Sequence, residues 1–142
     1  MLTKSFLIWA MHFAAEVSGL GAPTVPPEVT FVSESAITEG SGVESAFAYY
    51  DDFINTIYMP SECYAMETLE CKGVLVHEMV HYLQDINGKF PQDRDHCVRY
   101  LETLAYRTED NFYRRNGKSL ESFGISDGMV AYFSSCGNDY DN

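Results

Sequence analysis

Val74-Leu75-Val76-His77-Glu78-Met79-Val80-His81-Tyr82-Leu83 is an apolar stretch broken by three ionisable side chains at fixed spacing. His81 stands four positions after His77, so on a helix both lie on one face, one turn apart, within reach of a single metal ion. Glu78 follows the first histidine and projects beside that metal position, where it could take a proton from a metal-bound water. Leu75, Val76, Met79, Val80, Tyr82 and Leu83 surround the three, as expected of a helix buried through the middle of a domain. Buried histidines need polar partners, and one ion satisfies both. The alternative is an ordinary pair of core histidines.

Outward from this stretch, the helix is expected to begin near Thr68 or Glu70 and to run to Asn87, with Gly88 as its C-terminal cap. The loop Lys89-Phe90-Pro91-Gln92 leads to Asp93, a good N-cap, and a second helix from Arg94 to about Asn116, closed by Gly117. A catalytic zinc site needs a third protein ligand and an open position. Helical rise serves as a ruler for finding it. From His81 to Gly88 is about 10 Å, and a short loop favours an antiparallel return, which carries Glu102 back by roughly 13 to 14 Å. Glu102 then falls level with the middle of the histidine pair. His96 returns only about 4.5 Å and falls short, while Glu109 returns about 24 Å and overshoots His77 by roughly 8 Å. A solvated helical carboxylate is the other reading of Glu102.

His77-Glu78-x-x-His81, with Glu102 following after 20 intervening residues, resembles the gluzincin branch of the zincin metallopeptidases. The resemblance covers roughly residues 69 to 115. It is closest to compact bacterial zincins that lack the large C-terminal helical domain of thermolysin-type enzymes. It implies a compact α+β zincin-like fold: an N-terminal helix, a small mostly antiparallel sheet, and the motif helix packed on an antiparallel helix that carries the third ligand. It further implies one Zn²⁺ per chain held by His77, His81 and Glu102, Glu78 as general base, and a peptide or protein substrate. The metzincin signature is absent, since Gln84 and Asn87 stand where its glycine and third histidine would be. Thermolysin-type gluzincins place an Asp four residues after the ligand Glu, and this chain has Tyr106 there.

Tyr106 lies one helical turn from Glu102. It reads equally as a catalytic phenol donating to a developing oxyanion or as a core tyrosine bonded to a ligand. Glu109, a turn further on, reads first as a solvated carboxylate, with an outer-shell acceptor for a ligating histidine as the alternative. Arg99 and Arg107 read as surface charges. Tyr49 and Tyr50 read as sheet residues, on a strand that could take up an extended peptide if it lies at an edge.

A chain of 142 residues, 46% hydrophobic and carrying 19 Tyr and Phe, is one folded domain. The net charge of −12 argues against nucleic acid or an anionic membrane surface as partner. No run reaches transmembrane length. Residues 1–20 read as an amphipathic helix with Leu2, Phe6, Trp9, Phe13, Val17 and Leu20 at helical spacing, in preference to a leader, because His12 and Glu16 interrupt the apolar run. Glu28 to Ser33 reads as a strand, Glu39-Gly40-Ser41-Gly42 as a turn, and Ala46–Tyr50 and Phe53–Met59 as two strands about Asp51-Asp52. A last helix is expected from Ser126 or Asp127 through Phe133. Cys63, Cys71, Cys97 and Cys136 suit two disulfides in any of three connectivities and a periplasmic or secreted location, with reduced buried thiols as the alternative. From a different functional class, the chain could be a catalytically inactive zinc-binding scaffold for protein interaction; retention of Glu78 argues against this.

Overall fold

A computed structural model describes residues 1–43, 46–90 and 99–135. The first helix, α1 (Lys4–Ser18), is capped by the Thr3 hydroxyl, which accepts from the Phe6 amide at 3.0 Å, and ends at Gly19 in the left-handed region. Its buried stripe is Ala10, Met11, Phe13 and Ala14, so the face is rotated from the expected one and leaves Trp9 nearly half-exposed between Phe6 and Phe13. Strand β1 (Glu28–Val32) follows. Helix α2 (Glu34–Ser41) replaces the turn expected at Glu39–Gly42. Ser33 caps its start and Gly42 closes its end, so the glycine and serine residues that signalled a turn lie in and just past the final turn of a short helix.

Strands β2 (Tyr49–Asp51) and β3 (Thr56–Pro60) form the expected hairpin, with β2 starting at Tyr49 instead of Ala46 and β3 at Thr56 instead of Phe53, where the turn takes Asp52–Asn55. Sheet order is β1-β3-β2. The sheet is mixed rather than mostly antiparallel: β1 pairs with β3 in parallel over five residues, from Glu28 opposite Thr56 to Val32 opposite Pro60. The intervening α2 supplies a crossover connection of the kind that parallel neighbours require. Ile57 and Met59 point into the core, and Tyr58 stacks on Tyr49 across the hairpin at 4.8 Å.

The motif stretch forms the core of α3 (Leu69–Ile86), against which α1, α4, β2 and β3 all pack. The Thr68 hydroxyl caps its start, and Leu75, Val76, Met79, Val80 and Leu83 are wholly buried. At its end Gly88 takes φ 72°, with Lys89 N–H donating to the Gln84 carbonyl and Gly88 N–H to that of Asp85, a Schellman closure. A disulfide joins Cys63, in the single turn after β3, to Cys71 in the first turn of α3. The expected positions of Asp93, His96, Cys97 and Cys136 lie outside the described residues.

Helix α4 (Arg99–Arg115) runs antiparallel to α3, since its successive contacts at Leu101, Glu109 and Tyr113 meet Gln84, His77 and Glu70 in descending order. Gly117 follows its end in the left-handed region. Helix α5 (Asp127–Ser134), capped by Ser126, packs on α4. The architecture is α+β. Among the described residues no helix is long and apolar enough to cross a membrane.

Candidate metal centre

Two faces of α3 have separate duties. One is the core stripe just described, and the other presents Glu70, Val74, His77 and His81 to a cavity of about 850 Å³. Strand β2 borders the opposite side, while Tyr106, Ile125 and Phe133 form the wall supplied by α4, α5 and the segment between them. Glu78 and Glu102 also line this space.

Nε2 of His77 lies 3.5 Å from Oε1 of Glu102, and Nε2 of His81 contacts the same oxygen. One ligand atom from each of the three residues falls within a 4.8 Å group, so His77, His81 and Glu102 could bind a metal ion. A tetrahedral ion at about 2.05 Å from its donors separates them by about 3.3 Å, close to the His77–Glu102 spacing. The antiparallel pairing used to select Glu102 is therefore the one observed.

Hydrogen bonds fix which ring nitrogen faces the cavity. Glu109 Oε1 lies 2.8 Å from His77 Nδ1; a carboxylate only accepts, so Nδ1 carries a proton and Nε2 is the nitrogen turned toward Glu102 and the cavity. The second imidazole is set less directly. Gln84 Nε2 donates to the Leu101 carbonyl at 3.0 Å, which turns its amide oxygen toward His81 Nδ1 at 2.8 Å. His81 Nδ1 must therefore donate as well. Both histidines present Nε2 to one point, as ligating histidines with oriented partners do.

Glu109 is buried and bonded, correcting its reading as a solvated carboxylate. The ruler placed it beyond His77 because it counted backbone rise alone. Helical side chains lean toward the N-terminus of their own helix, so Glu109 reaches back while Glu102 meets the other nitrogen of the same ring. Its signal in the sequence is the two-turn spacing from Glu102. Gln84, wholly buried, was legible only as a departure from another family's pattern; its signal is the one-turn spacing from His81.

Three carboxylates, Glu78, Glu102 and Glu109, stand with the two histidines, so the cluster favours positive charge among them. Burial disfavours charge on His77, but its hydrogen bond to Glu102, that residue's charge and the bond to Glu109 outweigh it and raise its pKa. His81 is raised in the same way, burial being overcome chiefly by Glu102. Burial also works against ionisation of Glu102, yet the charge of His81 and the His77 hydrogen bond hold it well below the ordinary carboxylate range. Burial moves Glu78 the opposite way, upward, with the two histidines only partly opposing.

Tyr106 sets its ring edge-on against His77 at 4.5 Å and stacks on Phe133 at 6.1 Å. Burial first, then the charges of Glu102, Glu109 and Glu78, keep its phenol protonated far above neutral pH. Tyr50 leans from β2 toward α3, where its hydroxyl donates to Asp85 at 2.6 Å. Arg107 is exposed, as expected of a surface charge. Comparison with protein-family models, with curated proteins and with solved structures found no match to this chain.

Proposed function

We propose that this protein is a zinc-dependent metallopeptidase with a compact zincin-like fold, one Zn²⁺ per chain being held by His77, His81 and Glu102. The observation that carries the reading is the convergence of those three donors in a cleft that also contains Glu78. Two imidazoles and one carboxylate are a donor set suited to zinc with an open fourth position. A bound zinc ion would supply Lewis acidity, acidifying water and polarising a carbonyl.

The chain's own residues account for the remaining chemistry. Glu78, with its pKa raised by burial, is suited to take a proton from water and return it to the leaving amine. Tyr106 holds its proton and faces the same space, so it can donate to the oxyanion that forms at the attacked carbonyl. Among the described residues strand β2 pairs with β3 alone and borders the cleft, offering its other edge to an extended peptide. The Cys63–Cys71 bond supports folding in an oxidising compartment, periplasmic or extracellular.

Glu78→Gln tests the mechanism, since it keeps the side-chain shape and removes the base. Peptide hydrolysis should fall by at least about 10²-fold, the low end for loss of a general base, while zinc content stays at one per chain. Activity that survives Glu78→Gln would sink the mechanism. Zinc binding without hydrolysis of any peptide by the wild type would favour a binding scaffold instead.

A further inference from the structure

We infer that Tyr113 is a positioning residue for the metal centre, acting through Glu109 on His77, and that Gly73 is glycine to make room for it. The inference rests on the reading that His77 is a metal ligand. Tyr113 lies on α4 with no exposed surface, and its hydroxyl donates to Glu109 Oε2 at 2.8 Å. The Glu70 carbonyl is also near, at 3.3 Å, but a phenol has one proton and the closer, charged acceptor takes it.

Glu109 therefore receives one donor on each oxygen, Tyr113 on Oε2 and His77 Nδ1–H on Oε1. The terminal torsion of a glutamate is broad and roughly two-fold, so a single donor would leave the carboxylate free to swing. Two donors on opposite oxygens stop that rotation. Oε1 is then aimed at Nδ1, and the His77 ring is held with Nε2 toward Glu102.

Gly73 explains how the phenol reaches this place. A Cβ at position 73 would lie 2.1 Å from Cε1, 2.3 Å from Cζ and 2.4 Å from the hydroxyl of Tyr113. No side chain fits there while Tyr113 keeps its position. Glycine inside a helix costs about 1 kcal/mol relative to alanine, and α3 carries that cost one turn before His77. Phe123 also packs against the Tyr113 ring, with centroids 4.5 Å apart. The contacts form one line from the backbone of α3, through α4, and back to a ligand on α3.

The test uses the full chain and two variants, Tyr113→Phe and Gly73→Ala, with zinc affinity read by competition against a chromophoric chelator. The visible spectrum of the cobalt-loaded protein and the melting temperature of the metal-free protein complete the readouts. Tyr113→Phe keeps the ring, and we expect its zinc affinity to fall about 10-fold, the low end for loss of an outer-shell partner, with an altered cobalt spectrum. Gly73→Ala should fall at least as far. Should Gly73→Ala not fold, Tyr113→Phe decides alone. Wild-type zinc affinity and cobalt spectrum in Tyr113→Phe, whatever its melting temperature, would overturn the inference, because a purely structural hydroxyl alters stability alone. Wild-type protein that binds neither ion would overturn the metal reading itself, and this inference with it.

Discussion

Gln84 lets stability and metal affinity be driven in opposite directions by one residue. Its amide makes two bonds of opposite polarity, accepting from His81 Nδ1 at 2.8 Å and donating to the Leu101 carbonyl at 3.0 Å. In Gln84→Glu the first bond remains, now to a charged acceptor and hence roughly twice as strong. The second becomes a contact between two acceptors in a buried place, which costs about 1–3 kcal/mol. At about 2–4 °C per kcal/mol for a domain near this size, the metal-free protein should melt several degrees lower. Its zinc affinity should nonetheless equal or exceed that of the wild type, because His81 gains a stronger orienting partner and the site gains negative charge. Gln84→Leu removes both bonds, so stability should fall and zinc affinity should drop about 10- to 100-fold. Calorimetry of metal-free protein and chelator competition measure the two quantities separately. The reasoning fails if Gln84→Glu loses as much affinity as Gln84→Leu, or if Gln84→Leu binds zinc like the wild type.

Zinc affinity should rise with pH across the neutral range, because His77 and His81 bind protons more tightly than a free imidazole and must release them to ligate. The sign reverses for the metal-free fold. Histidines with raised folded-state pKa values stabilise it fully below about pH 6.5, and this contribution is lost as pH climbs through the raised values. Titrations at pH 6, 7 and 8 check both trends, and a flat zinc affinity would refute the first. Removing the disulfide as Cys63→Ser/Cys71→Ser opens a loop with a sequence separation of 8 residues. The loop-closure relation gives a loss of about 2.5 kcal/mol, to be read as a lower denaturant midpoint.

The parts of the fold that were legible in the sequence are those whose signals are local. Thr68 and Gly88 bound α3 where a cap and a glycine were read, and Ser126 likewise opens α5. Glu102 was found because helical rise is regular enough to measure along. The sheet was less legible. Nothing in Glu28–Val32 records that its partner is β3 in parallel, since pairing direction depends on the route taken by α2. The α2 helix was hidden because Gly40 lies inside it, a residue that packs so closely on Tyr49 that a Cβ would meet the phenol oxygen at 2.0 Å. The outer partners of the site were missed for a related reason. Glu109 acquires its role by reaching His77 on the facing helix, while Gln84 and Tyr113 stand one turn from His81 and Glu109 on their own helices, a polar spacing that solvated helix faces share.

The cleft is also mechanically lopsided. On the sheet side, the Cys63–Cys71 bond ties the end of β3 to the first turn of α3, and Tyr50 ties β2 to Asp85 near its last. The gap between the β2 edge and the histidines is thus pinned at both ends of one helix. The opposite wall is a two-turn helix that rests on α4 and leaves Met129 and Tyr132 in solvent. A ligand wider than the resting cleft must be accommodated by displacing α5, so amide hydrogens of 127–134 should exchange faster than those of 71–83. Under such a load the α5 wall should yield before the helix that carries His77 and His81.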